Sequence, residues 1–250
     1  MAEEIRQVYE EQLPSTQDLA LAWAREGVGP GSYVAAGEQT AGRGQPGRQW
    51  HSPPGGLYVS AILPLGEAGL PWLSLVSGLT LRESLAPAGR FPLWIKWPND
   101  LVVAATSRSP APRKLAGILV DVLVGLPRGL RAVVGVGLNV RRPASSPPPG
   151  LQERMAFLAE ETGGSMEPRE LLPTVLSALH RAGEDLLDPE ALTRIPGRLA
   201  PSLWGLGSEV SGPEGSGTFV GVDASGAARI RLVQGETRSV LPGLLTWGAP

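Results

Sequence analysis

The stretch Gly42-Arg43-Gly44-Gln45-Pro46-Gly47 spells G-x-G-x-x-G, and the residues directly after it limit the fold more than any other feature of the chain. In a dinucleotide-binding unit such a loop runs straight into a helix that packs on a parallel sheet. Here nine residues, two of them proline, separate Gly47 from the apolar run Leu57 to Leu63. A crossover with its helix needs at least about 10–12 residues, so the loop must join two strands. A phosphate loop of the NTPase kind fails for the same reason, and Gln49 stands where a magnesium-binding hydroxyl belongs. What survives is chemical. Three glycines let backbone N–H groups converge on a ligand, Arg43 and Arg48 flank them, and Trp50 offers a flat surface. A phosphate or carboxylate suits such a loop; a plain surface hairpin with incidental arginines is the competing reading.

The rest of the chain reads as alternating short elements. Ser15 with Asp18 fits a capping box opening a helix with Leu19, Ala20 and Trp23 on its face, and Gly27 stops it. Tyr33 to Gly37 and Leu57 to Leu63 read as strands, and Pro71 to Ala86 as a helix ended by Pro87 and Gly89. Four strand patterns come next: 91–97, LVVAA after the turn Pro98-Asn99-Asp100, KLAGILVDVLV after a polar loop over Ser107–Arg113, and LRAVVGVGLNV after Gly-Leu-Pro-Arg-Gly. Strands joined by short turns pair antiparallel. A proline-rich loop over 141–150 leads to helical patterns at 151–162, 167–187 and 189–199. From Trp204 onward, short strands split by glycine turns predict a small barrel of about five strands. The expected fold is α+β: a central mixed, largely antiparallel sheet flanked by helices over residues 1–203, then a small β domain over 204–250.

Composition removes several function classes. The net charge of −2 provides no global field for nucleic acid or membrane. The absence of cysteine excludes disulfides, thiolate metal sites and a cysteine nucleophile. Only His51 and His180 are present, and no G-x-S-x-G elbow exists, which argues against a His-based zinc site and a serine hydrolase. His180 falls in a helical pattern; His51, beside the glycine loop, is a minor ligand candidate. The amino terminus is acidic, and Leu115 to Leu126 is too short to span a bilayer and contains Asp121. A cytoplasmic protein is expected. Among 22 basic residues only Lys96 and Lys114 are lysines. Codon bias accounts for the arginines, and the two exceptions suggest sites where a compact point charge is wanted.

Lys96-Trp97-Pro98-Asn99-Asp100 sets an ammonium, an amide and a carboxylate at one turn, and Lys114 opens the next strand. Asn and Asp in turns often bind only local backbone. If the strands are antiparallel neighbours, however, Asp100 is placed to hold magnesium and Lys114 to meet an anion. Gly135, Gly137 and Asn139 alternate and so share one strand face, leaving bare backbone for a planar group, another strand or a tightly packed helix.

Taken in order, Ser15-Thr16, GEQTAGRGQPGRQW, KWPNDL, RKLAGILVD, GVGLNV and the terminal β-domain resemble the biotin–protein ligase family, the biotin branch of a fold shared with lipoate–protein ligases. The resemblance implies a fold like the class II aminoacyl-tRNA synthetases, with an SH3-like terminal domain. It implies ATP-dependent formation of biotinoyl-5′-AMP, with ATP and biotin as substrates and Mg2+ as cofactor. Biotin is then transferred to one lysine of a biotin carboxyl carrier protein. It further implies that Ser15, Thr16, Gln17 and Gln39 hold biotin's ureido ring, and that Gly42, Arg43, Gly44 and Gln45 approach biotin from the loop. Lys114 would bridge carboxylate and α-phosphate, with Arg43 as its catalytic partner, while Gly117 and Ile118 line the biotin channel. Arg48, Trp50, Lys96, Asn99 and Asn139 would serve the adenylate, and Asp100 the metal. Lipoate or octanoate transfer, and biotin binding without catalysis, are the rival readings. Gln45 departs from the pattern where many members carry a basic residue, and Gln17 where many carry Asn. The departure at Gln45 suggests weaker retention of the intermediate, unless Arg48 compensates for the missing cation. Fourteen residues before Ser15 are too few for a DNA-binding domain, so no repressor role and no DNA partner are expected; the small net charge and short apolar runs give no expectation of a membrane partner either. The sheet around GVGLN is expected to be available for pairing across a homodimer.

Overall fold

A computed structural model describes residues 3–86, 91–104, 111–126, 129–145 and 147–248. Its central sheet has seven strands: β1 (Gln7–Leu13), β2 (Tyr33–Gln39), β3 (Gly56–Pro64), β4 (Leu93–Lys96), β5 (Asp100–Val103), β6 (Arg113–Leu123) and β7 (Arg131–Asn139). Their order across the sheet is β1-β2-β3-β7-β6-β5-β4. β1 and β2 run parallel; the other described pairs are antiparallel, which gives the mixed, largely antiparallel sheet that the short turns demand. The glycine loop joins β2 to β3, which pair antiparallel.

Alternation along each strand divides the sheet into two unlike faces. Leu57, Val59, Ala61 and Leu63 of β3 and Ala132, Val134, Val136 and Leu138 of β7 enter one large apolar core. Helices α2 (Leu73–Leu85), α4 (Leu172–Leu187) and α5 (Pro189–Leu199) cover it. The intervening residues, among them Ser60, Gly135, Gly137 and Asn139, point to the other face. Among the described residues α1 (Thr16–Arg25) is the one helix that packs there, over a small cluster containing Ala20, Leu21, Ala24, Ile62 and Val133.

The terminal strands β8 (Glu209–Gly212), β9 (Gly215–Val222), β10 (Ala228–Leu232), β11 (Thr237–Val240) and β12 (Thr246–Trp247) form a second, antiparallel sheet in the order β11-β10-β9-β8-β12. Phe219, Ala228 and Ile230 join the large core directly. The barrel grips β4 residue by residue. Trp204 N–H donates to the Ile95 carbonyl at 2.9 Å, the Lys96 ammonium lies 5.1 Å from the Trp204 ring, and Trp97 Nε1 donates to the Gly226 carbonyl at 2.9 Å.

Several expectations are corrected. β7 is hydrogen-bonded on both sides, by β3 and β6, so GVGLN itself has no free edge, and a homodimer paired through this sheet would have to use another strand. β1 had no clear apolar alternation to announce it, because it is an exposed edge strand carrying Glu10 and Glu11. The face of α1 is Ala20, Leu21 and Ala24, while Leu19 is exposed. The helix expected over 151–162 shrinks to a 3-10 turn and α3 (Leu158–Thr162). Met155 and Ala156 are instead drawn out to lie along β6, with Ala156 N–H donating to the Lys114 carbonyl at 2.9 Å. The chain over Glu67–Trp72 is a 3-10 turn containing Pro71, and α2 begins only after it. Pro87, Gly89 and most of the polar loop over 107–113 lie outside the described residues, as do Pro127 and Arg128 of the expected turn.

Candidate functional site

The site lies on the sparsely covered face, where α1 meets β3, β6 and β7. Ser15, with φ −157° and ψ 122°, caps α1 by accepting from Asp18 N–H at 3.2 Å. This cap turns the helix start toward the sheet and buries Thr16 and Gln17. Their polar groups are matched by a hydrogen-bonded chain. Thr16 N–H donates to Gln39 Oε1 at 2.8 Å, and the Thr16 hydroxyl stands 3.0 Å from the same atom. Thr16 Oγ1 and Ser60 Oγ are 2.9 Å apart, and Ser60 donates to Gln17 Oε1 at 2.9 Å. Gln17 Nε2 donates to Asp121 Oδ2 at 2.9 Å and to the Val133 carbonyl at 3.0 Å. At the other end Gln39 Nε2 donates to Ser52 Oγ, which donates to the Trp50 carbonyl at 3.0 Å.

The glycine loop folds as a tight hairpin over this floor. Gly44 N–H donates to the Arg48 carbonyl at 3.0 Å, Arg48 N–H to the Gln45 carbonyl at 2.9 Å, and Gly47 takes φ +77°, a left-handed value that glycine adopts without strain. Trp50 crosses the sheet at Gly117 and Gly137. A Cβ on Gly137 would stand 2.5 Å from the indole, and one on Gly117 2.6 Å. The planar group that the bare backbone anticipates is therefore, in this state, the chain's own tryptophan. Its Nε1 is buried with no hydrogen-bond partner among the described residues. The Lys114 ammonium lies 4.6 Å from the ring centre, a cation–π contact. It is also 2.6 Å from Asp100 Oδ1, a charge contact whose angles do not make a hydrogen bond.

A cavity of about 120 Å³ remains beneath the hairpin. Thr16, Gln17 and Gln39 line its amide-rich end; Asp100 and Lys114 line its charged end, with Gly117 and Ile118 between. Gly44, Gln45, Arg48, Trp50 and Asn99 also border it. Gln45 Nε2 reaches Asn99 Oδ1 at 3.3 Å, tying the hairpin tip to the β4–β5 turn, and Asn99 Nδ2 donates to the Ile118 carbonyl at 2.8 Å.

Other expected site residues do different work here. Ser15 is used as the helix cap. Gly42 packs so closely on Ser52 and the Trp50 carbonyl that a side chain would collide with them. Arg43 borders the cavity, but its guanidinium is turned to Asp18 at 2.9 Å and Asp121 at 3.6 Å rather than to Lys114. Asn139 Nδ2 donates to the Lys114 carbonyl at 3.1 Å and so holds the strand that carries the lysine. Lys96 sits against both the Trp204 and Trp247 rings; burial lowers its pKa, against the opposing pull of Asp100. His51 Nε2 is buried without a partner among the described residues and does not line the cavity, and His180 is exposed beside Glu184. No group of three metal-ligating side chains occurs among the described residues. Asp100 brings one carboxylate to the charged end of the cavity, so a magnesium ion held there would need its remaining ligands from elsewhere.

Ser60, Ser52 and Asp121 were missed by sequence reasoning. Two of them carried a signal: Ser60 is the lone hydroxyl inside the buried run Leu57–Leu63 apart from Tyr58, and Asp121 is the one charge inside KLAGILVDVLV beyond its opening lysine.

Comparison with known proteins agrees with this geometry. Residues 9–139 match the model of the biotin/lipoate A/B protein ligase family. The chain is 33% identical over 247 residues to the biotin–[acetyl-CoA-carboxylase] ligase of Paracoccus denitrificans, covering 91% of this chain and 94% of that protein. It is 27% identical over 237 residues to the bifunctional ligase/repressor BirA of Bacillus subtilis, covering 91% of this chain and 70% of that one. The biotin protein ligase of Aquifex aeolicus in complex with biotin and ATP superposes with a TM-score of 0.77 at 28% identity, covering 98% of this chain and 99% of that one. The chain belongs to the biotin/lipoate A/B protein ligase family. Within it, this is an enzyme of the biotin protein ligase group.

Proposed function

We propose that this ligase couples biotin to ATP, forming biotinoyl-5′-AMP and pyrophosphate, and then acylates one lysine of a biotin carboxyl carrier protein. The observation that carries the reading is a single cavity with an amide-reading end and a cationic end: Thr16, Gln17 and Gln39 at one side, Lys114 at the other. Biotin has that same polarity, a ureido ring at one end and a carboxylate at the other. A carboxylate is a poor acyl donor until adenylated, and bringing it to a phosphate sets two anions side by side. Lys114, on a strand held by Asn139, supplies a fixed charge where they meet. Displacement of Trp50 from Gly117 and Gly137 frees the bare backbone along which the valeryl chain and adenylate extend, with the indole then available to stack on the base.

The individual roles belong to the same proposal. Thr16, Gln17 and Gln39 read the ureido ring, with Ser15 supporting them as the cap. Gly42, Arg43, Gly44 and Gln45 close the hairpin over biotin, with Arg43 released from Asp18 on closure. Arg48, Trp50, Asn99 and Asn139 hold the adenylate, and Lys96 braces that side against the barrel. Magnesium would be held by Asp100 and the triphosphate and would neutralise phosphate charge. The division into residues 1–203 and 204–250 then separates chemistry from a buttress that fixes the Lys96–Asp100 turn.

An open strand edge supports a protein acceptor. β5 accompanies β6 only as far as Gly117, so Leu119 to Leu123 have no strand partner on that side among the described residues. A carrier hairpin adding a strand there would bring its lysine beside the cavity mouth. No helix of the described residues is long and apolar enough to cross a membrane, and a reaction that consumes ATP and modifies a carboxylase subunit belongs in the cytoplasm. The repressor function in the Bacillus protein's name is not carried over to this chain.

ATP–pyrophosphate exchange tests the reading. Exchange should depend on biotin and not on lipoate, and Lys114→Ala should lower it by roughly 10²–10³-fold, the usual effect of removing one transition-state donor. Absence of biotin-dependent exchange in the wild type would overturn the proposal.

A further inference from the structure

The two limbs of the glycine hairpin are anchored at their base in different ways. The outgoing limb is fixed by its own backbone: Thr40 N–H donates to the Leu13 carbonyl at 3.1 Å and Ala41 N–H to the Pro14 carbonyl at 2.8 Å. The returning limb carries Trp50. It is paired through Trp50 N–H to the Gly42 carbonyl at 2.9 Å and Gln39 N–H to the Ser52 carbonyl at 3.0 Å. One side chain then joins this limb to the floor of the cavity. Ser52 Oγ accepts from Gln39 Nε2 at 2.9 Å and donates to the Trp50 carbonyl at 3.0 Å. The direction of this relay is fixed at both ends. A peptide carbonyl can only accept, so the Ser52 hydrogen goes to Trp50 and the Ser52 oxygen is left to accept from Gln39. Gln39 has its oxygen on Thr16 N–H at 2.8 Å, which leaves its nitrogen for Ser52. Ser52 is buried, Gly42 packs on it too closely to carry a Cβ, and it does not border the cavity.

We infer that Ser52 is a positioning residue that couples the ring-reading end of the cavity to the tryptophan laid over Gly117 and Gly137. This role rests on the biotin and ATP reading given above. Gln39 is one of the groups that would hold the ureido ring, and Trp50 the group that would stack on the base. Ser52 is bonded to both residues and lies outside the cavity that the ligands enter. A ring that fixes the Gln39 amide fixes Ser52, and Ser52 fixes the carbonyl beside which the indole swings. The indole can then leave Gly117 and Gly137 by turning its side chain while its backbone stays seated. A nucleotide that holds the indole acts back along the same two hydrogen bonds, because coupling between two sites is reciprocal. Without the hydroxyl the returning limb keeps its backbone bonds, but Gln39 Nε2 and the Trp50 carbonyl lose their common partner. Each ligand then binds with little regard to the other.

The test is the effect of one ligand on the affinity for the other. Biotin is titrated calorimetrically into the protein alone and into protein saturated with α,β-methylene-ATP, an analogue that cannot form the adenylate. In the wild type the analogue should tighten biotin by about tenfold, within the usual range of coupling between sites. In Ser52→Ala that gain should fall to about twofold or less, while the affinity for biotin alone changes only a few-fold. Ser52→Cys, close to serine in size but a weak donor and acceptor, should lose the coupling in the same way, and it carries the test if the alanine variant does not fold. A serine that merely supports the hairpin would, when replaced, weaken both titrations by one factor and leave their ratio at the wild-type value. That ratio in a folded variant would overturn the inference, and so would a wild type that binds biotin and the analogue independently. A wild type that binds no biotin would instead remove the reading on which it rests.

Discussion

The two faces of the central sheet are built from the same strands and have opposite chemistry. On β7, Val134, Val136 and Leu138 are buried in a continuous apolar core beneath α2 and α4, while Gly135, Gly137 and Asn139, one step out of phase, carry no apolar bulk at all. The first face is closed by packing and gains its stability from excluded water. The second is closed by a hairpin, one indole and a chain of hydrogen bonds. A β-strand thus lets one stretch of sequence serve two masters, because residue n sets stability and residue n+1 sets recognition.

That separation can be broken or sharpened by mutation. The largest effect should come from Leu138→Ala on the packed face, which creates a cavity and costs about 2–5 kcal/mol in urea unfolding, with activity per folded molecule near wild type. Gly137→Val, one residue away on the site face, should do the reverse. Its side chain enters the space now held by Trp50, so biotin-dependent exchange should fall by about 100-fold, while the melting temperature moves by only a few degrees. Similar losses of stability and activity in both variants would mean the faces are not independent. Gln45→Arg should act on the site face alone: it replaces the amide hydrogen bond to Asn99 with a cation over the cavity and should slow release of the adenylate several-fold in a filter-retention assay. An unchanged dissociation rate would remove the idea that Gln45 loosens the intermediate.

The smallest effect belongs to neither face. Asp223 folds the β9–β10 turn of the barrel. Burial acts to raise its pKa, but hydrogen bonds from Ser225, Ser239 and the backbone N–H groups of Ser225 and Ala227 outweigh it, and the net direction is down. A lowered folded-state value means stability that is present above the ordinary carboxylate value and lost as pH falls through the folded one. Asp223→Asn should therefore cost about 1 kcal/mol near neutrality, and its unfolding curve should converge on wild type as pH drops below about 3.8, the unshifted value. Ligase activity should not track it.

The packed face was far more legible in the sequence than the recognition face. Runs such as LYVSAIL and LRAVVGVGLNV announce strands by bulk and β-branching, and short turns between them force antiparallel pairing. Legibility failed where tertiary contact overruled local pattern: Met155 and Ala156 abandon a helical spacing to lie along β6, and the acidic β1 has β2 as its one strand partner among the described residues. For the site, motif order located Lys114, Gln39 and the glycine hairpin, but not the direction in which side chains point. Arg43 turns to Asp18, and Lys96 to two tryptophans of the barrel, because those partners lie far away in sequence. Ser60 and Asp121 were readable in principle, since a lone polar group inside an apolar strand must be matched by a buried partner.

Trp50 gives the protein an optical signal of its own. Of seven tryptophans it is the one laid over Gly117 and Gly137, with the Lys114 ammonium 4.6 Å from its ring centre. Any ligand that takes that space changes the polarity around the indole and its distance from Lys114. Intrinsic emission should shift on adding biotin, and the shift should vanish in Trp50→Phe while the other six tryptophans keep their baseline spectrum. Occupancy of the cleft can then be monitored in real time without a label.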